Sequence, residues 1–301
     1  MRLVTLAAGD HECAGVVIEG RVLLLEAASG GRLADPRPGK TALPLKAILP
    51  DPELMQDVRD VAARGEQDPS FLDRFAIPLR EQDLHAPIPR PGKVLCLGLN
   101  YRDHAAESGA EVPDEPVIFS KAPSSVIGPG DPIRLPETSD QVDYEVELAF
   151  VIGAPARNVH ASQAMYHVAG YTVLNDVTAR DYQHVRGGGQ WTLAKSFDTF
   201  CPIGPWIVTP DEVPDPHDLT LECRIGGEVL QSGSTSEMIF KIPQIIEYLS
   251  AVLTLEPGDV VGTGTPPGVG FARTPQRFLQ AGDLLECTVQ SIGTLVNPVR
   301  A

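Results

Sequence analysis

The chain has 301 residues, 43% of them hydrophobic, and a formal net charge of −16 at pH 7. That length and composition provide for one large core, or a large core plus a small one, and predict two domains of unequal size. An acidic surface repels phosphate backbones and anionic membranes over a Debye length or more, which argues against nucleic-acid and membrane partners but leaves room for a local pocket that takes a small anionic substrate.

Cys13, Cys96, Cys201, Cys223 and Cys287 are odd in number and form no C-x-x-C pair, so they read as reduced core cysteines. Asp10, His11 and Glu12 interrupt the first apolar stretch before a signal-peptide core forms. No uncharged apolar run has membrane-spanning length, and the expected location is cytoplasmic.

Gly and Pro, 28 of each, are spread along the chain, which predicts many short strands joined by turns. Residues 14–26 read as a hairpin about Glu19-Gly20. A helix should begin at Asp51-Pro52-Glu53, where Asp caps free amides and Pro fits the first turn. Leu54, Met55, Val58, Val61 and Ala62 then recur at helical spacing, and Gly65 is placed to end it. The stiff segment APIPRPG (86–92) suits a boundary, giving a small α/β N-terminal domain over 1–91 and a larger domain over 92–301. Strands are expected over 94–100, 143–152, 170–176, 219–225, 259–264 and 284–289, and a helix over 242–253 before Pro257. The phrases LEPGDVV and LQAGDLL place Gly-Asp turns before apolar strands, as at matching edges of a β-roll. The expected class is α+β, mainly β.

Asp143, Glu145 and Glu147 share one face if their stretch is a continuous strand, with Tyr144, Val146 and Leu148 on the other. Such a face is either an exposed acidic surface or a cation site, because clustered carboxylates repel unless protonated or bridged. Asp176, directly after the apolar stretch GYTVLN, adds an acid at a strand end. Glu145, Glu147 and Asp176, without a nearby His or Cys, make a hard oxygen set that suits Mg2+, with Mn2+ as a substitute. His104 and Glu107, three apart on a short helical turn, form either a surface pair or a His–carboxylate dyad able to take a proton from water. Arg180 and Gln183 offer donors for a substrate carboxylate, and Lys195 stands among small and apolar residues. Gly187-Gly188-Gly189 is either a mobile loop over a site or a long turn, and GTGTPPGVG (262–270) lets backbone amides approach an anion closely.

In this order, GLNYRDHAAE, PVIFSKAPSSVIGP, DYEVELAFVIG, GYTVLNDVTARDYQ, KSFDTFCPIGPW and LEPGDVVGTGTPPGVG resemble the fumarylacetoacetate hydrolase superfamily over roughly two thirds of the chain. The resemblance implies a mixed β-sandwich roll, usually in a homodimer, with residues 1–91 as the variable extra domain of longer members. It implies Glu145, Glu147 and Asp176 as metal ligands, and His104, Glu107 and Lys195 as catalytic residues. Arg180, Gln183 and Thr265 correspond to substrate-binding positions. The expected reaction is hydrolytic cleavage of a C–C bond in a 1,3-diketo acid such as an acylpyruvate or fumarylpyruvate, through an enolate held at the metal. The alternatives are oxaloacetate decarboxylation or tautomerisation of a 2-oxo acid, and a non-catalytic 2-oxo acid binding protein.

Overall fold

The structure, a computed structural model, describes residues 1–8, 11–37, 42–80, 83–107, 109, 111–186 and 188–301. Asp10 and Gly187 of the sequence reading lie outside the described residues. β1 (Arg2–Ala8), β2 (His11–Ile18) and β3 (Arg21–Leu24) pair as an antiparallel meander. Its second turn falls at Glu19-Gly20, with φ of +49° and +72°, the left-handed geometry that a two-residue hairpin needs. The expected hairpin strand stops short, because Leu25–Ala28, a run of good helix formers, turns helical.

α1 (Pro52–Gln67) starts where Asp51 accepts from the N–H groups of Glu53 and Leu54 at 2.9 and 3.2 Å. Gly65 does not end this helix. A Cβ there would stand 2.9 Å from the side chains of Ile18 and Leu23, so the glycine lets the helix lie close on the hairpin. The stop comes after Gln67, where Asp68 leaves the helix and caps α2 (Pro69–Phe75), followed by β4 (Ala76–Pro78) against β3.

Further elements are β5 (Val94–Gly98), α3 (Arg102–Glu107), β6 (Val117–Lys121), β7 (Val142–Asp143), β8 (Val146–Ile152), β9 (Val168–Asn175), β10 (Thr178–Ala179) and β11 (Cys201–Val208). They are followed by β12 (Thr220–Ile225), β13 (Glu228–Ser234), α4 (Ile242–Val252), β14 (Val260–Gly262), β15 (Leu284–Val289) and β16 (Gly293–Arg300). The main sheet runs β4-β3-β2-β1-β11-β9-β8-β14-β5-β6, parallel only between β14 and β5 along this path. The N-terminal strands join it through β1 and β11, with Leu3 opposite Ile207. A second sheet, β13-β12-β15-β16 closed by Ile133–Arg134, packs on it through one core that includes Leu148, Phe150, Val173, Leu221, Leu285 and Leu295. The class is α+β, mainly β, a mixed β-sandwich roll. No described helix is long and apolar enough to cross a membrane.

The stretch expected as one strand over 143–152 is broken. β7 ends at Asp143 and β8 begins at Val146, leaving Tyr144 and Glu145 outside both ladders. All seven residues of β8 are buried, which excludes an exposed acidic face and explains the near-continuous apolar run. Glu147 is the exception within it.

Close approach of β9 to β11 depends on Gly170, where a Cβ would meet the Val208 carbonyl oxygen at 2.4 Å. Gly170→Ala is expected to lower unfolding free energy by about 1–3 kcal/mol, the usual range for overpacking. Urea denaturation measures this, and an unchanged midpoint would contradict the close approach.

Candidate active site

Strand register builds the site. β8 and β9 run antiparallel with Val146 opposite Asn175, so the start of one adjoins the end of the other. Glu145, Glu147 and Asp176 therefore converge, each with a carboxylate oxygen within 4.8 Å of the others, and all three are buried. Asn175 fixes the corner by accepting from the Glu145 N–H at 3.0 Å, while the Asp176 N–H donates to the Glu145 carbonyl at 2.9 Å. Gly262 of β14 leaves the necessary space, since a Cβ there would come within 2.3 Å of Glu147 Oε2.

Asp143 adds a fourth buried carboxylate, and three buried cations face the cluster. Arg180 donates from Nε to Asp143 Oδ2 at 2.8 Å, and its Nη2 lies 2.7 Å from Glu145 Oε1. Lys195 Nζ reaches Asp176 Oδ2 at 2.5 Å and Glu145 Oε2 at 3.1 Å, while Lys121 Nζ reaches Asp176 Oδ1 at 2.6 Å. Among the described residues, no cation pairs with Glu147. Its Oε2 accepts from the Gly264 N–H at 3.1 Å, and its Oε1 is buried with no hydrogen-bond partner among them.

These partners set the protonation states. Burial alone would raise the Glu145 carboxyl, but Lys195 and Arg180 outweigh it and bring the pKa down to about 2. Burial, then Asp176 and Glu145, push Glu147 well above the usual carboxylate range. Burial would lower Lys195, yet Asp176 and Glu145 hold its ammonium protonated. Three converging carboxylates with one orphaned oxygen and no nitrogen or sulfur donor fit a hard divalent cation, which would supply the charge that Glu147 lacks.

The dyad approaches from the end of β5. Leu99 takes φ +53°, and the Asn100 side chain pins the turn through the Phe240 and Thr263 carbonyls and the Phe240 N–H. α3 then presents His104, whose Nδ1 lies 3.4 Å from Glu107 Oε2, and the Gly268 N–H donates to both oxygens of Glu107 at 2.9 and 3.0 Å. A cavity of about 230 Å³ is lined by His104, Glu145, Arg180, Gln183, Lys195 and Thr265, among others. Glu107, Glu147 and Asp176 stand behind these residues.

Of the expected substrate contacts, Gln183 accepts from Arg180 Nη1 at 2.9 Å, and its amide N–H groups have no hydrogen-bond partner among the described residues. Arg180 lines the cavity, and its Nη2 is buried against Glu145 Oε1 at 2.7 Å. Thr265 spends its hydroxyl hydrogen on the Val146 carbonyl at 2.9 Å and accepts from Gln231 at 2.8 Å, so it holds the glycine-rich loop to β8. That loop does bring amides to anions, but the anions are the chain's own: Glu147, Glu107 and, through Gly270 and Phe271, Asp143.

Sequence reading missed Lys121, His184 and the clamping role of Asp143. Lys121 shares a strand face with Phe119, and an inward-facing lysine on an apolar strand was the available signal.

Residues 93–300 match the family model described as Fumarylacetoacetate (FAA) hydrolase C-terminal. The chain belongs to the fumarylacetoacetate hydrolase family. Its relatives within the family include the human protein named oxaloacetate tautomerase FAHD2A, mitochondrial, 48% identical over 255 residues, which cover 83% of this chain and 81% of that protein. The Bos taurus protein of the same name is 45% identical over 288 residues, covering 94% and 88%. Among solved structures, the fumarylacetoacetate hydrolase of Exiguobacterium antarcticum superposes with a TM-score of 0.80 at 36% identity, covering 100% of this chain and 99% of that one.

In this family member, Glu147→Gln removes a buried carboxyl whose ionised form is disfavoured by burial, Asp176 and Glu145 until a cation arrives. Without divalent ions the variant should be at least as stable as the wild type, with a gain of up to about 3 kcal/mol, the upper cost of an unsatisfied buried group. The rise in Tm on adding Mg2+ or Mn2+ should disappear. Thermal melts with chelator and with each ion measure both effects, and an undiminished ion-dependent rise would contradict the assignment.

Proposed function

We propose that this protein is an oxaloacetate keto–enol tautomerase that uses Mg2+, or Mn2+ in its place, held by Glu145, Glu147 and Asp176. The observation that supports it most is the pairing, in one small cavity, of a lysine kept cationic with a histidine steered by a carboxylate. Tautomerisation moves one proton between C3 and the 2-oxo oxygen and consumes nothing else. Names carried by relatives at 48% and 45% identity agree with this chemistry.

The Arg180 guanidinium and the Gln183 amide, both on the cavity wall, bind the carboxylate next to the 2-oxo group. His104, steered by Glu107, carries the proton between C3 and the 2-oxo oxygen, taking it from one and delivering it to the other. Lys195, whose three N–H groups go to Asp176, Glu145 and Thr178, turns one of them to the oxygen's negative charge and keeps its proton, which Asp176 and Glu145 hold on it. When bound, the divalent ion supplies Lewis-acid stabilisation of the same developing charge. Trp191 and Phe119 form an apolar wall that keeps bulk water from the enolate.

Hydrolysis of a 1,3-diketo acid is the second reading, favoured by the same His104–Glu107 pair, which could activate a water. Oxaloacetate decarboxylation would share the enolate but needs no such pair.

Loss of the enol's ultraviolet absorbance separates these readings. The wild type should accelerate enol-to-keto conversion of oxaloacetate, and His104→Ala or Lys195→Met should lower the rate by about 10²–10⁴-fold. Cleavage of acylpyruvates with no acceleration of enol–keto exchange would replace the tautomerase with the hydrolase.

A further inference from the structure

Four basic side chains line the cavity among the described residues: His104, Arg180, His184 and Lys195. Three are committed. Lys195 and Arg180 are buried and hold carboxylates, and His104 faces Glu107. His184 is exposed and has no hydrogen bond or ion pair to any described residue, so it stands at the outer end of the cavity while Arg180 stands at the buried end.

His184 is nevertheless held in place. Its ring lies on Phe271 with centroids 4.9 Å apart and planes at 30°. The Phe271 N–H donates to Asp143 Oδ2 at 2.9 Å, and the same carboxylate grips Arg180 Nε at 2.8 Å, so one buried acid fixes both ends of the cavity. The segment Tyr182–Arg186 is a π-helical turn, a wider winding in which the neighbours Gln183 and His184 both face the cavity.

We propose that His184 binds a second carboxylate and makes the cavity selective for dicarboxylic over monocarboxylic 2-oxo acids. This deepens the tautomerase reading and rests on it for the 2-oxo end of the ligand. Burial and the cations Arg180 and Lys195 hold the basicity of the ring down against Glu145, so it waits as a neutral donor and gains from an arriving anion. A cavity of about 230 Å³ suits a short diacid rather than a drug-sized ligand.

Malate and 2-hydroxybutanoate differ only in a terminal carboxylate against a methyl group, and neither enolises. Calorimetric titration of the full-length protein in Mg2+ should show the wild type binding malate about tenfold more tightly, the size of one charge-assisted hydrogen bond. His184→Leu should erase that preference by weakening malate alone, and His184→Lys should restore it. Unchanged binding of 2-hydroxybutanoate reports that the variant is folded. Equal affinities in the wild type, a preference that survives in His184→Leu, or equal loss of both ligands would overturn the proposal. A His184-dependent preference in a protein that does not exchange enol-oxaloacetate would support it and sink the tautomerase reading instead.

Discussion

Burial of four carboxylates against three cations, with one carboxylate left over, is the constraint around which the site is organised. Asp143, Glu145, Glu147 and Asp176 are all withdrawn from water, and Arg180, Lys195 and Lys121 answer three of them. A buried carboxyl with no cation beside it costs stability whether it stays charged or takes up a proton, so a chain selected for stability alone would place an apolar residue at 147. Its neighbours accommodate the carboxylate instead. Gly262 gives up a side chain to make room, Gly264 points an amide at it, and Asn175 fixes the adjoining corner. Local departures of this kind from foldability rules concentrate at functional sites.

Under the proposed function, that electrostatic arrangement suits any reaction of a 2-oxo acid that develops negative charge on the 2-oxo oxygen, with Lys195 proposed to meet it. On the same proposal, selection among tautomerisation, decarboxylation and C–C hydrolysis falls to groups farther out: whether the His104–Glu107 pair meets a C–H bond or a water, and what His184 meets at the cavity mouth. These outer residues sit on a short helix and a π-helical turn, while the acids sit at strand ends. The charge centre is thus on the rigid part of the roll, and the specificity elements are on its connections.

Much of this was legible in the residues. Most strand and helix positions followed from apolar periodicity, whereas acid spacing left an exposed face and a cation site both open until Asp176 and the family resemblance pointed to the trio. Other features required the tertiary structure. The break at Tyr144-Glu145 hides behind perfect alternation, because a period-two pattern carries no sign of where a ladder stops. Lys121 reads as one more strand residue until Asp176 is seen 2.6 Å away across 55 positions. Gly65 looks like a helix end because its real reason, contact with Ile18 and Leu23, lies on another element. The glycine-rich loop reads as an anion cradle, which it is, although the anions are internal.

Anomalous diffraction from crystals soaked in Mn2+ tests the proposed ion most directly. A single strong peak is predicted between Glu145, Glu147 and Asp176, with Glu147 Oε1 turned toward it and the Lys195 ammonium moved off the oxygens it shares. Full soaking with no peak at this corner, or manganese only on surface carboxylates, would contradict the account.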